Sequence, residues 1–172
     1  MATSKKRNAL VRRSIEPLDA RAARVFALDA LARRDYASAD LRRKLLDKGY
    51  DVTVVTVLVD ALRAEKLLDD RRYTENFVAY HAARGLGPLR VRLDLSRHGM
   101  QGPEVEEYLA AYPDWLAHLR LARQKKFGTQ LPDNYADRRR QARFLGYRGF
   151  TSAQIRTALG FDTDLDADAE GI

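Results

Sequence analysis

Apolar positions along this chain recur at helical spacing, i and i+3 or i+4, in segments divided by short turns that carry glycine or proline. Amphipathic segments near residues 20–34, 70–84 and 114–127 each open a group of helices. The pattern then repeats. Displacing the sequence by 50 residues aligns Gly49, Gly99 and Gly149, each followed by a large apolar residue, Tyr50, Met100 or Phe150. Leu45, Leu95 and Leu145 stand four positions before those glycines. Val55, Val105 and Ile155 stand six after them, and Val59, Leu109 and Leu159 ten after. The residue just before each glycine is basic: Lys48, His98 and Arg148. A register kept over so many columns is the mark of tandem structural repeats.

Physically, each such column set is a helix, a glycine stop and a second helix. The left-handed backbone that ends a helix suits glycine, and the apolar residue after it folds back on the last turn. Start signals follow: Thr151 with Gln154 forms a capping box, Pro103 fits a first helical position, and Asp51 or Thr53 can cap the first copy. In the second copy Asp69 is an N-cap, with Leu68 and Tyr73 spaced as a hydrophobic staple and Asp70 favourable against the helix dipole. Val52–Val59 is rich in β-branched residues and reads as a strand by propensity. Its counterparts Glu104–Tyr112 and Ala153–Leu159 are helical in pattern, so the repeat predicts a helix here too.

The expected fold is all-α, an elongated, curved array of three tandem three-helix repeats, about nine helices in all, with a period of about 50 residues. The expected boundaries are a flexible basic segment over 1–18, repeats over 19–68, 69–112 and 113–161, and a disordered acidic tail over 162–172. Tyr73, Tyr80, Tyr108 and Tyr112 recur at helical spacing and are expected in the core, and Trp115 is expected to pack between the second and third repeats.

Composition narrows the function. The 172 residues are 45% hydrophobic and 32% charged, enough to bury a core. With no cysteine there are no disulfides, thiolate metal sites or cysteine nucleophiles. The uncharged runs Val52–Val59 and Asn76–Ala83 fall far short of the roughly 20 residues that cross a bilayer. The opening MATSKKRNALVRRS lacks the apolar core of a secretory signal, so a soluble, cytoplasmic protein without a membrane role is expected.

The charge is uneven. Five acids, Asp162, Asp164, Asp166, Asp168 and Glu170, crowd the last eleven residues, leaving 31 bases against 19 acids before them. Residues 114–160 alone hold ten bases and three acids. Lys125 and Lys126, and the run Arg138, Arg139 and Arg140 with Arg143, make a cationic stripe. Arg84, Arg90 and Arg97 lie around the turn and middle helix of the second repeat. Such a balance favours a polyanion or an acidic protein surface as partner.

Catalytic constellations are missing. His81, His98 and His118 have no metal-ligand spacing, and there is no nucleophile elbow or phosphate loop. Gly85-Leu86-Gly87-Pro88 reads as a helix–helix turn, and the adjacent Asp69 and Asp70 do not converge on one ion. No enzyme, cofactor or metal is expected. The second helices of the glycine-linked pairs offer mostly apolar or acidic residues, Glu104, Glu106 and Glu107 among them, so sequence-specific reading of DNA is disfavoured.

Three segments then carry a resemblance: Leu67-Leu68-Asp69-Asp70-Arg71-Arg72-Tyr73, Gly87-Pro88-Leu89-Arg90-Val91 and Leu95-Ser96-Arg97-His98-Gly99-Met100. Together they resemble the signature of the RecX family, bacterial regulators of the recombinase RecA, over about Ala20 to Phe161. The resemblance implies a non-catalytic regulator, expected to be monomeric. Such a protein binds along the RecA–DNA filament and inhibits its growth, ATP hydrolysis, strand exchange and co-protease activity, which modulates DNA repair and the SOS response. Arg72, Tyr73, Gly87 and Arg90 carry the family motif. Asp69, Gly49, Gly99 and Gly149 set the fold. Arg72, Tyr73, Arg84, Gly87, Arg90, Arg97, Lys125, Lys126, Arg138, Arg139, Arg140 and Arg143 are the expected partner-binding residues. The alternative is a basic helical module that binds single- or double-stranded DNA directly, without sequence specificity.

Overall fold

The computed structural model describes residues 16–160. Among these residues there are nine helices and no strand: α1 (Ala20–Arg33), α2 (Ser38–Lys48), α3 (Val52–Ala64), α4 (Asp70–Ala83), α5 (Pro88–Arg97), α6 (Pro103–Ala111), α7 (Trp115–Phe127), α8 (Tyr135–Tyr147) and α9 (Ser152–Leu159). The all-α, three-helix-repeat expectation holds. The expected flexible segment up to residue 15 and the acidic tail at 162–172 lie outside the described residues.

The chain forms two compact units: residues up to Arg34 with Leu41–Leu68, and Asp35–Asp40 with residues from Asp69 onward. In the first, α1 lies against α3. Ala23, Ala27 and Ala30 form a buried small-residue seam on α1, and Val55, Leu58, Val59 and Leu62 are the buried face of α3. That burial explains why strand propensity loses at Val52–Val59: the apolar residues are used at helical period, and Val57, which alternation would bury, is 70% exposed. Asp51 supplies the cap, accepting the Thr53 N–H at 2.8 Å. The Thr53 hydroxyl also donates to it, and these bonds hold the Asp51 carboxyl below its ordinary pKa.

In the second unit one core joins α4–α9, built on Val78, Val91, Leu95, Leu109, Trp115, Leu119, Leu145, Phe150, Ile155 and Leu159. Trp115 donates its indole N–H to the Leu109 carbonyl at 2.9 Å, which ties α7 to the end of α6. Tyr73, Tyr108 and Tyr112 pack against this core, and burial raises the phenol pKa of the last two. Tyr80 corrects the expectation: it is 59% exposed, because two residues beyond Val78 it lies on the opposite side of α4.

The glycine columns have one geometry. Gly49, Gly99 and Gly149 take φ of +103°, +74° and +85°. The N–H groups of Tyr50, Met100 and Phe150 donate to the carbonyls of Leu45, Leu95 and Leu145 at 3.2, 3.1 and 3.2 Å. This is the six-to-one bond of a glycine helix stop.

Helix ends also interlock. The Gly87 and Leu89 N–H groups, at the start of α5, donate to the Arg148 and Gly149 carbonyls at the end of α8, at 2.8 and 2.9 Å. Gly87 provides no side-chain cap, so α5 draws its cap from another helix. At the start of α2 the Ser38 N–H donates to the Asp70 carboxylate at 2.7 Å. α8, in contrast, caps itself through Asn134, which accepts the Asp137 N–H at 2.8 Å.

Candidate partner-binding surface

The third repeat sets its cations on α7 and α8. Lys125 and Lys126 close α7, where cations are favoured by the helix dipole. The Lys126 ammonium sits 4.2 Å above the Phe144 ring and the Arg140 guanidinium 5.5 Å from the Phe127 ring. The two rings meet edge to face at 5.4 Å. Charge is thus held over aromatic faces on this surface. Arg140 also pairs with Asp137 at 3.0 Å, the Arg139 guanidinium lies 5.7 Å from the exposed Tyr135 ring, and Arg143 is exposed. Arg138 is half-buried, its Nε donating to the Pro132 carbonyl at 3.3 Å.

One base counted in this cluster does not belong to the surface. Arg123 is 3% exposed, and its guanidinium donates to the Gln130 and Thr129 carbonyls at 2.8 and 2.9 Å and to Gln141 Oε1 at 3.3 Å. It organises the turn between α7 and α8 from within.

Around the second repeat the cations are more tightly engaged. Asp94 holds both Arg90, at 3.1 Å, and Arg97, at 2.8 Å. Arg84 donates to the Tyr80 hydroxyl at 2.8 Å while Arg148 donates to the Arg84 carbonyl at 3.2 Å, so α8 reaches the end of α4. Arg72 is exposed, 3.7 Å from Asp35. Tyr73 is half-buried, its ring centre 5.9 Å from Phe77 and 6.1 Å from His98. Asp69 caps α4 by accepting the Arg72 N–H at 2.9 Å.

Gly87, grouped with the contact residues on the family motif, is instead a packing residue. It is buried, and a Cβ there would lie 2.3 Å from Phe150 N and 2.4 Å from the Gly149 carbonyl. Glycine at this position lets two backbones meet.

Sequence reasoning missed Phe127 and Phe144 as seats for cations, and the pairing of His98 Nδ1 with the buried Asp40 at 2.6 Å. The 50-residue register could have signalled part of this, since it aligns Asp40, Arg90 and Arg140, charged residues in the first turns of α2 and α5 and in the second turn of α8. His81 stacks on Phe77 at 4.1 Å, its Nδ1 has no hydrogen-bond partner, and burial lowers its pKa. Among the described residues no group of three His, Asp or Glu side chains could hold a metal ion, and no helix is long and apolar enough to cross a membrane.

Comparison with known proteins matches this arrangement in order. RecX's first, second and third three-helix domains match residues 23–62, 69–109 and 113–159. The regulatory protein RecX of Halorhodospira halophila is 40% identical over 138 residues, 80% of this chain and 86% of its own length. That of Pseudomonas fluorescens strain SBW25 is 39% identical over 145 residues, 83% of this chain and 94% of its own. The crystal structure of RecX from Lactobacillus salivarius shares the fold, with a TM-score of 0.72 at 20% identity over 83% of this chain and 95% of that one. With three domains matched in sequence and relatives this similar along most of both lengths, the chain belongs to the RecX family.

Proposed function

We propose that this protein, a regulatory protein by its family, acts without catalysis by binding the RecA–DNA filament and inhibiting its growth, ATP hydrolysis, strand exchange and co-protease activity. The observation that carries this reading is the cationic surface of α7 and α8, where Lys125, Lys126, Arg139, Arg140 and Arg143 are all exposed on two packed helices. Tandem repeats suit a partner that is itself periodic. Arg72, Arg84 and Arg90 extend the contact on the second repeat, and acidic recombinase surface or exposed phosphate is what they meet.

The test is RecA ATP hydrolysis on excess single-stranded DNA, with this protein titrated far below the recombinase. Inhibition at substoichiometric dose supports action on the filament. No effect at any dose refutes it. Reversing Arg139, Arg140 and Arg143 to Glu is expected to abolish inhibition while leaving the helical content intact, and full inhibition by that variant would remove the third repeat from the contact.

A second reading is direct, sequence-independent binding to single-stranded DNA. It is favoured by Tyr80 and Tyr135, exposed by 59% and 63%, which offer stacking faces beside Arg84 and Arg139, and by the exposed Tyr147. Inhibition that begins only when the DNA is saturated would select it.

A further inference from the structure

Between the end of α4, α7 and the end of α8 lies a cavity of about 300 Å³ ringed by Arg84, Lys125, Lys126 and Arg148, over an apolar floor that includes Leu121 and Phe144. No carboxylate lines it, and none of the four cations forms an ion pair among the described residues. Elsewhere in the same unit Arg90, Arg92, Arg97 and Arg140 are each paired with an acid. Cations gathered on one cavity with no acid among its lining raise the local concentration of anions, and the apolar floor favours an anionic group that carries an apolar element.

The same chain carries such a group. Asp162, Asp164, Asp166, Asp168 and Glu170 all fall on even positions, alternating with Thr163, Leu165, Ala167 and Ala169. On an extended backbone alternate side chains share one face, so the five carboxylates would form one edge spaced by about 6.6 Å, with Leu165 on the uncharged edge. Cations and an apolar floor offer a surface to each edge. Reach is sufficient: α9 is only eight residues, about 12 Å, beyond the turn that follows Arg148, and the ten residues from Gly160 to Glu170 span up to about 34 Å. A tether this short holds the segment at an effective concentration of about millimolar, ahead of most free polyanions.

We propose that residues 162–170 dock on this cavity and screen the cations of α7 and α8 from a polyanionic partner. The regulatory consequence rests on the partner-binding reading above, but docking itself is measured without any partner. Carbodiimide, which joins a carboxylate to a lysine amine only when the two are in contact, is applied to the full chain, and the monomer fraction is mapped by mass spectrometry. Links from Asp164, Asp166 or Asp168 to Lys125 or Lys126 are expected, weakened in about 0.5 M salt and in an R84E/R148E variant. Their absence, while other carboxylate–lysine links form, overturns the proposal.

A second variant, D162N/D164N/D166N/D168N/E170Q, leaves every described residue in place. It is expected to bind a fluorescent oligothymidylate at least about threefold more tightly at low salt, the gap closing at high salt. Equal affinity of the two chains refutes the screening. Cross-links present in a protein that never inhibits RecA would sink the RecA reading alone; inhibition without cross-links would sink this proposal alone.

Discussion

Replacing Gly149 by alanine separates two roles that one glycine plays. The first is conformational: at φ +85° any Cβ is strained, which costs about 1–2 kcal/mol. The second is steric. A Cβ at Gly149 would lie 2.4 Å from Arg90 Cβ, 2.5 Å from Arg90 N and 3.0 Å from Arg90 Cα. None of these atoms moves when a side chain rotates, so the first turn of α5 must retreat by about 1 Å to restore van der Waals contact. That retreat stretches the Gly87 and Leu89 N–H bonds to the end of α8, now 2.8 and 2.9 Å. Weakening two helix-start hydrogen bonds and displacing a packed turn adds about 2–3 kcal/mol, for a total near 3–5. Gly160 is the control: it lies in the same unit at φ +72° with nothing within 4 Å of a built Cβ, so alanine there costs only the strain, about 1–2 kcal/mol. Urea unfolding followed by circular dichroism on both variants measures the difference directly. If Gly149→Ala and Gly160→Ala shift stability within about 0.5 kcal/mol of each other, the helix-end contact is not the constraint described here.

Other perturbations follow from the same contacts. Arg123→Leu should cost about 3 kcal/mol, because it removes the charged guanidinium's hydrogen bonds to the Thr129 and Gln130 carbonyls and to the buried Gln141; a change under about 0.5 kcal/mol in urea unfolding would contradict its role. Thr151→Ala removes the capping box of α9 and should lower stability by about 1 kcal/mol, read from the thermal midpoint. His81 binds its proton more weakly folded than unfolded, so stability should fall as pH drops through the ordinary histidine value near 6.5 toward the lower folded value. A His81→Gln variant should lose that part of the pH dependence, measured by unfolding midpoints between pH 8 and 5; an unchanged slope would assign it to other groups.

The repeat was the most legible part of this chain. Leucine, glycine and apolar columns fix backbone bonds as well as packing, so one register located the helix stops and overrode the strand propensity of Val52–Val59. Caps at Asp51, Asp69 and Thr151 were readable because each involves residues two or three apart. What stayed hidden depends on distant partners. Nothing local distinguishes Arg123, which turns inward, from Lys125 and Lys126 two and three positions on, which face water. Gly87 looked like part of a contact motif because its reason, the backbone of Phe150, is 63 residues away in sequence. Tyr80 shared a residue type with three core tyrosines but not their side of a helix.

The borrowed caps tie the first turn of one helix to the presence of another. The starts of α2 and α5 bond to groups outside their own helix, and each adjoins the glycine stop of the next middle helix: Ala39 lies at Gly99 and Arg90 at Gly149. α8 has the same register but places Asp137 where α5 has Gly87, and Asn134 of its own N-terminus accepts the Asp137 N–H. A borrowed cap exists only while both helices are packed, so the starts of α2 and α5 depend on α4 and α8, whereas the start of α8 closes on its own residues. Loss of one helix is therefore felt in the first turn of another.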